Sequence, residues 1–310
     1  MDYEKFKGMF IVYAEKELKK IFPKIVIKEK VRKKVNKTFD ALYFDGIGEL
    51  EEVSPNIKLN DLYLDYSNGK GFSDLLKEVK TVVFQTMENG DKIMETVSKI
   101  HQGDYNDRII CTLVNTEANK EFLESVPNRS FEDMSIIYRI CISKPNENDF
   151  VSTVVTNDLL EKLKMTEEEL YLMAKSNTIN LLEPRVEPML EVIKRICPGF
   201  ASNEEDFPLL PMYVVSSRWM HEGAVFMLYE EIFDTLVEKL GENLIVLPSS
   251  RHEFIAIPDC DDVEELAKMV LSINMTEVSS EDRLSNQVYR WNNKEKRVEL
   301  ASHTEFKNVC

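Results

Sequence analysis

Hydrophobic and polar residues follow two different periodic patterns at the start of the chain. In residues 3–21 the apolar positions recur near helical spacing, and Pro23 ends the pattern. In residues 25–35 apolar and cationic residues alternate, as they do in a strand, and residues 36–38 would turn the chain back into a second strand, 39–45. The patterns therefore predict an amphipathic helix followed by a basic β-hairpin.

Beyond residue 70 the two kinds of periodicity are interleaved. Helical spacing predicts helices at residues 72–87, 91–100, 117–124, 158–163, 166–177, 184–196, 230–240 and 261–273. Alternation and short apolar runs predict strands at residues 109–114, 134–143, 150–156, 212–216, 224–228, 244–247, 254–257, 287–291 and 297–300. We expect an α+β fold in which mixed or antiparallel sheets are covered by helices.

The order strand, strand, helix occurs at residues 134–163 and again at residues 212–240. The first stretch ends in LLEKL and the second in LVEKL. Two similar halves of the larger C-terminal lobe would explain this match. Chance similarity between amphipathic helices is the alternative, because leucine, glutamate and lysine are ordinary helix formers.

The stretch from Gly46 to Gly71 is acidic and rich in turn residues, so we expect a boundary near residue 70. It would separate an N-terminal module, residues 1–70, made of the helix and the basic β-hairpin, from a main α+β lobe, residues 71–310. A single compact unit is the alternative.

Composition limits the class of protein. Of the 310 residues, 43% are hydrophobic, which is enough for a substantial core. No apolar run approaches the roughly 20 residues that span a bilayer, so we expect a cytoplasmic protein without a membrane partner. The cysteines are far apart and form no CxxC pair, which predicts neither disulfides nor a zinc site; they are Cys111, Cys141, Cys197, Cys260 and Cys310.

Charge is distributed unevenly along the chain. The formal net charge is −16, which disfavours nonspecific attraction to nucleic acid or anionic lipid. Residues 16–37 are the exception, since they contain ten Lys or Arg against two Glu. Most of the surface should therefore prefer a basic partner.

The densest cluster of chemically reactive residue types lies in the turn between the predicted strands 244–247 and 254–257. A hydrolase would use Ser249 or Ser250 as the nucleophile, with His252 as its base and Glu253 as the acid. However, neighbours in a strand point to opposite sides, and no G-x-S-x-G motif exposes the hydroxyl. The simpler interpretation is that these side chains form hydrogen bonds with the backbone of the turn. We therefore predict no catalytic residue.

A second candidate joins the same turn if strands 212–216 and 243–247 are neighbours. His221 and Glu222 would then lie close to His252, and two imidazoles with carboxylates could bind a metal or exchange protons. No ligand set with a fixed spacing, such as HExxH, is present, so we predict no metal. The chain also has no glycine-rich phosphate loop, so we predict no cofactor.

The basic hairpin strand carries a row of cations, Lys28, Lys30, Arg32 and Lys34, on one face. Their same-side spacing of roughly 6.6 Å is comparable with that of successive phosphates on an extended strand, which permits nucleic-acid contact. Aromatic residues do not interleave with them. Lysines that protect an exposed sheet edge from aggregation are the favoured interpretation.

Four segments carry a resemblance to known families: residues 156–178, 212–217, 223–259 and 278–291. They resemble an uncharacterised family, a domain of unknown function frequent in Gram-positive gut bacteria and their mobile elements. Residues 150–260 are more distantly similar to the YtpQ-like family, also of unknown function. Leu163-Lys164-Met165 stands where that family has Trp-Gly. The resemblance implies a cytoplasmic α+β protein in a mobile-element setting and no catalytic activity.

The leading hypothesis is a noncatalytic binding or regulatory protein, an accessory of a mobile element, that engages a basic protein through its acidic surface. The first alternative is a hydrolase-like enzyme that uses Ser249, His252 and Glu253 with His221. The second is nucleic-acid binding through the basic strand, residues 24–37.

Overall fold

The computed structural model describes residues 1–46, 57–101, 105–142, 150–197, 211–260 and 262–301, and gives only the helical backbone for residues 89–101. The sequence also predicts a turn at residues 144–148, a loop in the acidic residues 202–208 and fraying of the last eight residues, and these three segments lie outside the described residues. The chain divides into two compact units, Met1–Asp104 and Tyr105–Cys310.

The first unit opens as its periodicity predicts. The side chain of Asp2 caps the first helix by accepting a hydrogen bond from Lys5 N at 2.9 Å. An antiparallel three-stranded sheet follows, in the order β1-β2-β3. The elements are α1 (Tyr3–Leu18), β1 (Val26–Lys34), β2 (Lys37–Asp45), β3 (Ile57–Lys58), α2 (Leu59–Ser67) and α3 (Phe72–His101).

The core of this unit explains where the unit ends. Phe6 and Phe10 of α1 are fully buried, and Leu75 and Val79 of α3 belong to the same apolar cluster. Helix α3 is thus part of the first unit, whereas the sequence places the boundary before it, near residue 70. The predicted break at residues 89–90 is wrong, because α3 runs through it. A glycine costs a helix only about 1 kcal/mol, so Gly90 alone does not end it.

The second unit begins with a four-stranded antiparallel sheet around β6. Strand β4 pairs with one edge of β6, and β5 and β7 pair with it at positions 134–137 and 139–141. The predicted capping box of Thr166 and Glu169 starts α6. The elements are β4 (Ile109–Asn115), α4 (Lys120–Leu123), β5 (Asn128–Phe131), β6 (Met134–Cys141), β7 (Ser152–Val154), α5 (Asn157–Leu163) and α6 (Glu167–Leu182).

A six-stranded antiparallel sheet completes this unit, in the order β13-β12-β10-β11-β9-β8. Its strands are β8 (Pro184–Pro188), β9 (Tyr213–Ser217), β10 (Leu244–Leu247), β11 (Glu253–Pro258), β12 (Tyr289–Asn292) and β13 (Arg297–Leu300). Its helices are α7 (Met189–Ile196), a 3₁₀ helix (Gly223–Leu228), α8 (Glu230–Leu240) and α9 (Val263–Thr276). The α+β fold is confirmed, and all the described strand pairs are antiparallel.

Helices cover both faces of this six-stranded sheet. Phe254 of β11 stacks on Phe233 of α8, whereas Ile257 packs with Val263 and Ala267 of α9. Residues 254 and 257 point to opposite faces because side chains alternate along a strand. The predicted hairpin of β10 and β11 therefore lies inside a helix–sheet–helix sandwich.

Two predicted elements of the second unit are wrong. Residues 184–188 form a strand and only residues 189–196 are helical; Pro184 and Pro188 are tolerated because β8 is an edge strand. Residues 224–228 belong to the 3₁₀ helix and not to a strand, since a short buried apolar run does not distinguish the two. The order at residues 212–240 is therefore strand, 3₁₀ helix, α-helix.

Candidate functional site

The structure brings His221 and His252 together, with their ring centroids 5.6 Å apart. The strand arrangement responsible differs from the expected one. Strand β9 pairs with β11, so that Ser216 lies opposite Glu253, while β10 lies on the far side of β11. The loop after β9 consequently meets the turn before β11.

Backbone hydrogen bonds lock this loop to this turn. Gly223 N donates to His252 O at 2.9 Å, and Ala224 N donates to Arg251 O at 3.1 Å. A Cβ on Gly223 would lie 2.4 Å from His252 O and 2.6 Å from the Cα of Ser216, so no other residue fits there. Glu222 adopts a left-handed conformation, with φ 54°. The geometry is therefore fixed by close backbone approach.

Both ring nitrogens of His252 have partners. The backbone N–H of Glu222 donates to Nδ1 at 3.3 Å, so Nδ1 is the acceptor of the neutral ring. Nε2 then carries the proton and donates to Oδ1 of Asp282 at 3.0 Å. Asp282 is itself held by Ser279, whose hydroxyl donates to Oδ2 at 3.1 Å. The imidazole is oriented by two other chain segments, the loop at Glu222 and residues 279–282.

Arg251 lies between two carboxylates. Its guanidinium is 3.3 Å from Oε1 of Glu222 and 3.4 Å from Oδ1 of Asp282. Glu222 is only 2% exposed, and its other oxygen, Oε2, has no hydrogen-bond partner among the described residues. Burial lowers the pKa of nearby Arg139, which the charge of Glu222 partly offsets. We call His221, Glu222, Arg251, His252 and Asp282 the histidine–carboxylate cluster.

Among the described residues, neither neighbouring serine makes a side-chain hydrogen bond to an imidazole. The hydroxyl of Ser250 accepts a hydrogen bond from His252 N at 2.9 Å and also bonds the Glu253 side chain. Ser249 uses its carbonyl oxygen to accept from Leu284 N at 3.0 Å. A serine hydrolase instead needs a hydroxyl that donates to the imidazole of its base. Ser250, His252, Glu253 and His221 thus lie together, but in a different hydrogen-bonding pattern.

Two groups here have shifted pKa values. Burial, and then the charge of His252, hold the pKa of His221 below its usual value, so this ring is neutral at neutral pH. Its ring also stacks on Phe150, with centroids 5.4 Å apart. Burial raises the pKa of Glu253. Within the described part of the chain, no three His, Cys, Asp or Glu side chains are placed to hold a metal ion.

The predicted cationic row lies on β1, at the edge of its sheet. Lys28 pairs with Asp45. Lys30 lies over the ring of Tyr43 at 3.4 Å, and Lys34 over Phe39 at 5.7 Å. The aromatic partners come from the neighbouring strand β2, which inspection of the β1 sequence alone could not show. Several of these cations are therefore already in contact with carboxylate or aromatic groups.

Sequence reasoning missed a cleft in the second unit, with a volume of about 720 Å³. Arg129, Lys175 and Lys296 line it together with Tyr171 and Trp291. These residues come from β5, α6, β12 and the turn that leads into β13. Tyr171 and Lys175 lie four residues apart on α6, but no local spacing could show that residues of β5, β12 and the turn into β13 pack beside them.

The fold and this geometry define an α+β protein of antiparallel sheets with a half-buried histidine–carboxylate cluster and an open cleft. None of the described helices is long and apolar enough to cross a membrane. The chain belongs to a family of unknown function, DUF5688, whose model matches residues 3–293. This confirms the resemblance to an uncharacterised family. Comparisons with curated proteins and with solved structures found no match.

Proposed function

We propose that this protein is a noncatalytic cytoplasmic binding protein that engages a basic protein partner through the acidic surface of its second unit. In line with the family resemblance, the proposal includes a role as an accessory of a mobile element.

The distribution of charge between the two units carries the proposal. Residues 1–104 contain 18 Lys and Arg and 18 Asp and Glu, so they are formally neutral. The net charge of −16 therefore belongs to residues 105–310. A charge of this size, confined to one unit, attracts basic partners and speeds their association at low salt.

Exposed carboxylates on the helices of the second unit are available to such a partner. Glu231 and Glu238 of α8, which lie seven residues apart on one helix face, are exposed and make no ion pair among the described residues. Glu242, just after this helix, and Glu264 of α9 are exposed in the same way. Their charge is not neutralised within the described part of the chain.

The hydrogen bonds of the Ser and His side chains near position 250 support a noncatalytic role. His252 uses both ring nitrogens, and Ser250 bonds Glu253 and a backbone amide. Each of these contacts ties one chain segment to another. They account for the presence of these residue types without a reaction.

Affinity purification of the full chain from the cells that encode it, followed by titration of the partner at several salt concentrations, tests the proposal. We expect a basic protein whose affinity falls at least about tenfold as salt rises from about 0.05 to 0.5 M. Glu231→Gln combined with Glu238→Gln should weaken binding. As the matched control on the same helix, Lys239→Gln should leave binding unchanged or strengthen it. No partner, or a complex insensitive to salt, would contradict the proposal.

The two alternatives give distinct results in parallel assays. A hydrolase-like enzyme predicts ester turnover that Ser249→Ala, Ser250→Ala or His252→Ala abolishes. Nucleic-acid binding through residues 24–37 predicts a salt-sensitive gel shift that disappears when Lys30 and Arg32 are both replaced by glutamine. Neither result is expected.

A further inference from the structure

The cleft in the second unit has the dimensions of a ligand site. Its volume is about 720 Å³, and pockets for small molecules usually measure roughly 300 to 1,000 Å³. One wall is α6, and the opposite wall is formed by β12 and the turn into β13. The four-stranded and six-stranded sheets both contribute, so the cleft lies where two layers of the same unit meet.

The lining of the cleft contains more cations than carboxylates, whereas the surrounding unit is acidic. Two carboxylates, of Glu230 and Glu231, line the cleft, against the four cations Arg129, Lys175, Lys296 and Arg297. The unit as a whole has a formal charge of −16. The most favourable position for an anion in this cleft is beside a cation that has no carboxylate partner of its own.

Three of the four cations already have carboxylate partners. Arg129 pairs with Glu167 at 2.8 Å and also with Glu168. Lys296 pairs with Asp234 at 2.7 Å. Arg297 pairs with Glu295 and Glu299, at 2.7 and 2.8 Å. Their charges are largely neutralised, although their side chains still shape the wall.

Lys175 differs from them. Its ammonium group lies 5.8 Å from the ring centroid of Tyr171 and 5.7 Å from that of Tyr229. In the part of the chain that the structure describes, no carboxylate lies within ion-pair distance of it. An ammonium group carries three donors and prefers an anionic acceptor, which the rings do not provide. Lys175 is therefore the cation that a bound anion would contact.

We propose that this cleft binds a small organic anion, with its carboxylate or phosphate group on Nζ of Lys175 and its apolar body against Tyr171 and Tyr229. Aromatic and aliphatic side chains together form the apolar part of the lining, which matches the body of such a ligand. The cleft adjoins the proposed protein-binding surface, since Glu231 lines it, but the anion contact of Lys175 does not depend on that proposal.

The intrinsic fluorescence of Trp291 provides the test, because this residue lines the cleft. The chain has two tryptophans, so Trp219→Phe leaves Trp291 as the single reporter. This variant of the full chain is titrated with phenyl phosphate and with benzoate, and with phenol as the uncharged control. We expect a saturable change with at least one anion, and at least about tenfold weaker binding of phenol, because phenol cannot form the charge-assisted contact.

Variants of Lys175 then locate the bound anion. Lys175→Met should weaken anion binding at least about tenfold, Lys175→Arg should retain most of it, and Lys239→Met, on α8, should have no effect. Circular dichroism of each variant confirms folding, and the arginine variant keeps the test valid if the methionine variant is unstable. The proposal is overturned if neither anion gives a saturable change, if phenol binds equally well, or if Lys175→Met binds like the parent.

Discussion

The histidine–carboxylate cluster and the cleft both lie in the second unit, and both collect charged side chains from distant parts of the sequence. In the cluster, His252 is held from both ring nitrogens, and Arg251 lies between two carboxylates. In the cleft, Lys175 lies beside the rings of Tyr171 and Tyr229 and has no carboxylate within ion-pair distance among the described residues. The cluster contains the more reactive residue types, but the cleft offers the space and, in Lys175, a cation without a carboxylate partner among the described residues.

The comparison of the cluster with the cleft shows that residue type alone does not identify a ligand-binding site. A polar group that is already hydrogen-bonded within the protein, as both ring nitrogens of His252 are, is no longer available for a ligand. The cluster should accordingly matter most for stability, and the cleft should matter mainly for binding. The substitutions below test this division.

Gly223→Ala should have the largest effect. Its Cβ would lie 2.4 Å from His252 O, and backbone on both sides leaves no room to move. We expect the free energy of unfolding to fall by at least about 3 kcal/mol, measured by urea denaturation. Gly241→Ala is the control. Its φ of 97° strains any residue that has a Cβ, but this Cβ would meet no atom within 4 Å, so the substitution should cost only the backbone strain of about 1 to 2 kcal/mol. Equal costs at the two positions would contradict the role given to Gly223.

Asp282→Ala should have the next largest effect. It removes the acceptor for Nε2 of His252 and one of the two carboxylates beside Arg251. We expect a loss of about 2 kcal/mol in the free energy of unfolding, and a smaller loss for Asp282→Asn, which keeps an acceptor oxygen. Glu277→Ala, at the exposed end of α9, should change it by less than about 0.5 kcal/mol. A neutral result for Asp282→Ala would mean that the cluster does not hold its segments together.

Acidification should destabilise the cluster through His221. The pKa of His221 is lowered in the folded state, so the unfolded chain binds the proton more readily. This contribution to stability is complete above about pH 7 and is lost as pH falls below about 6.5, the usual value for histidine. His221→Phe, which keeps a ring against Phe150, should reduce the slope of Tm against pH between about 7.5 and 5.5. An unchanged slope would show that His221 does not titrate in this way.

Glu253→Gln should stabilise the protein slightly at neutral pH. Burial raises the pKa of Glu253, so ionisation above about pH 4.5 costs the folded state free energy. Glutamine mimics the protonated acid and can still accept a hydrogen bond from Ser250. We expect Tm to rise by about 2 °C at pH 7 and the gain to vanish near pH 4. A lower Tm at pH 7 would indicate that the carboxylate is needed in its charged form.

Lys175→Met should have the smallest effect on stability. No carboxylate pairs with Lys175 among the described residues, so its removal should change the free energy of unfolding by less than about 0.5 kcal/mol. The free energies of unfolding of Lys175→Met and Asp282→Ala are measured side by side by urea denaturation. A loss as large as that of Asp282→Ala would place Lys175 among the structural residues.

The fold could be predicted from the sequence further than the site could. Periodicity located α1, α6, α8 and the β10–β11 hairpin, because local spacing determines which side of each element is apolar. It failed at residues 224–228, where every side chain through Met227 is buried and no alternation exists. The sequence predicted that His221 lies close to His252, but from a pairing of strands 212–216 and 243–247 that the structure does not have. Asp282 and the cleft were missed, because they depend on contacts between segments that no local pattern links.

The protonated ring nitrogen of His252 provides the most direct test of whether the histidine–carboxylate cluster is structural. Imidazole nitrogen NMR of the full chain at about pH 8, where histidine side chains are neutral, identifies which ring nitrogen carries the proton. We expect the Nε2–H form, with signals that do not change when phenyl phosphate or benzoate is added. A ring protonated on Nδ1, or one whose signals shift with either anion, would contradict the claim that the cluster is structural.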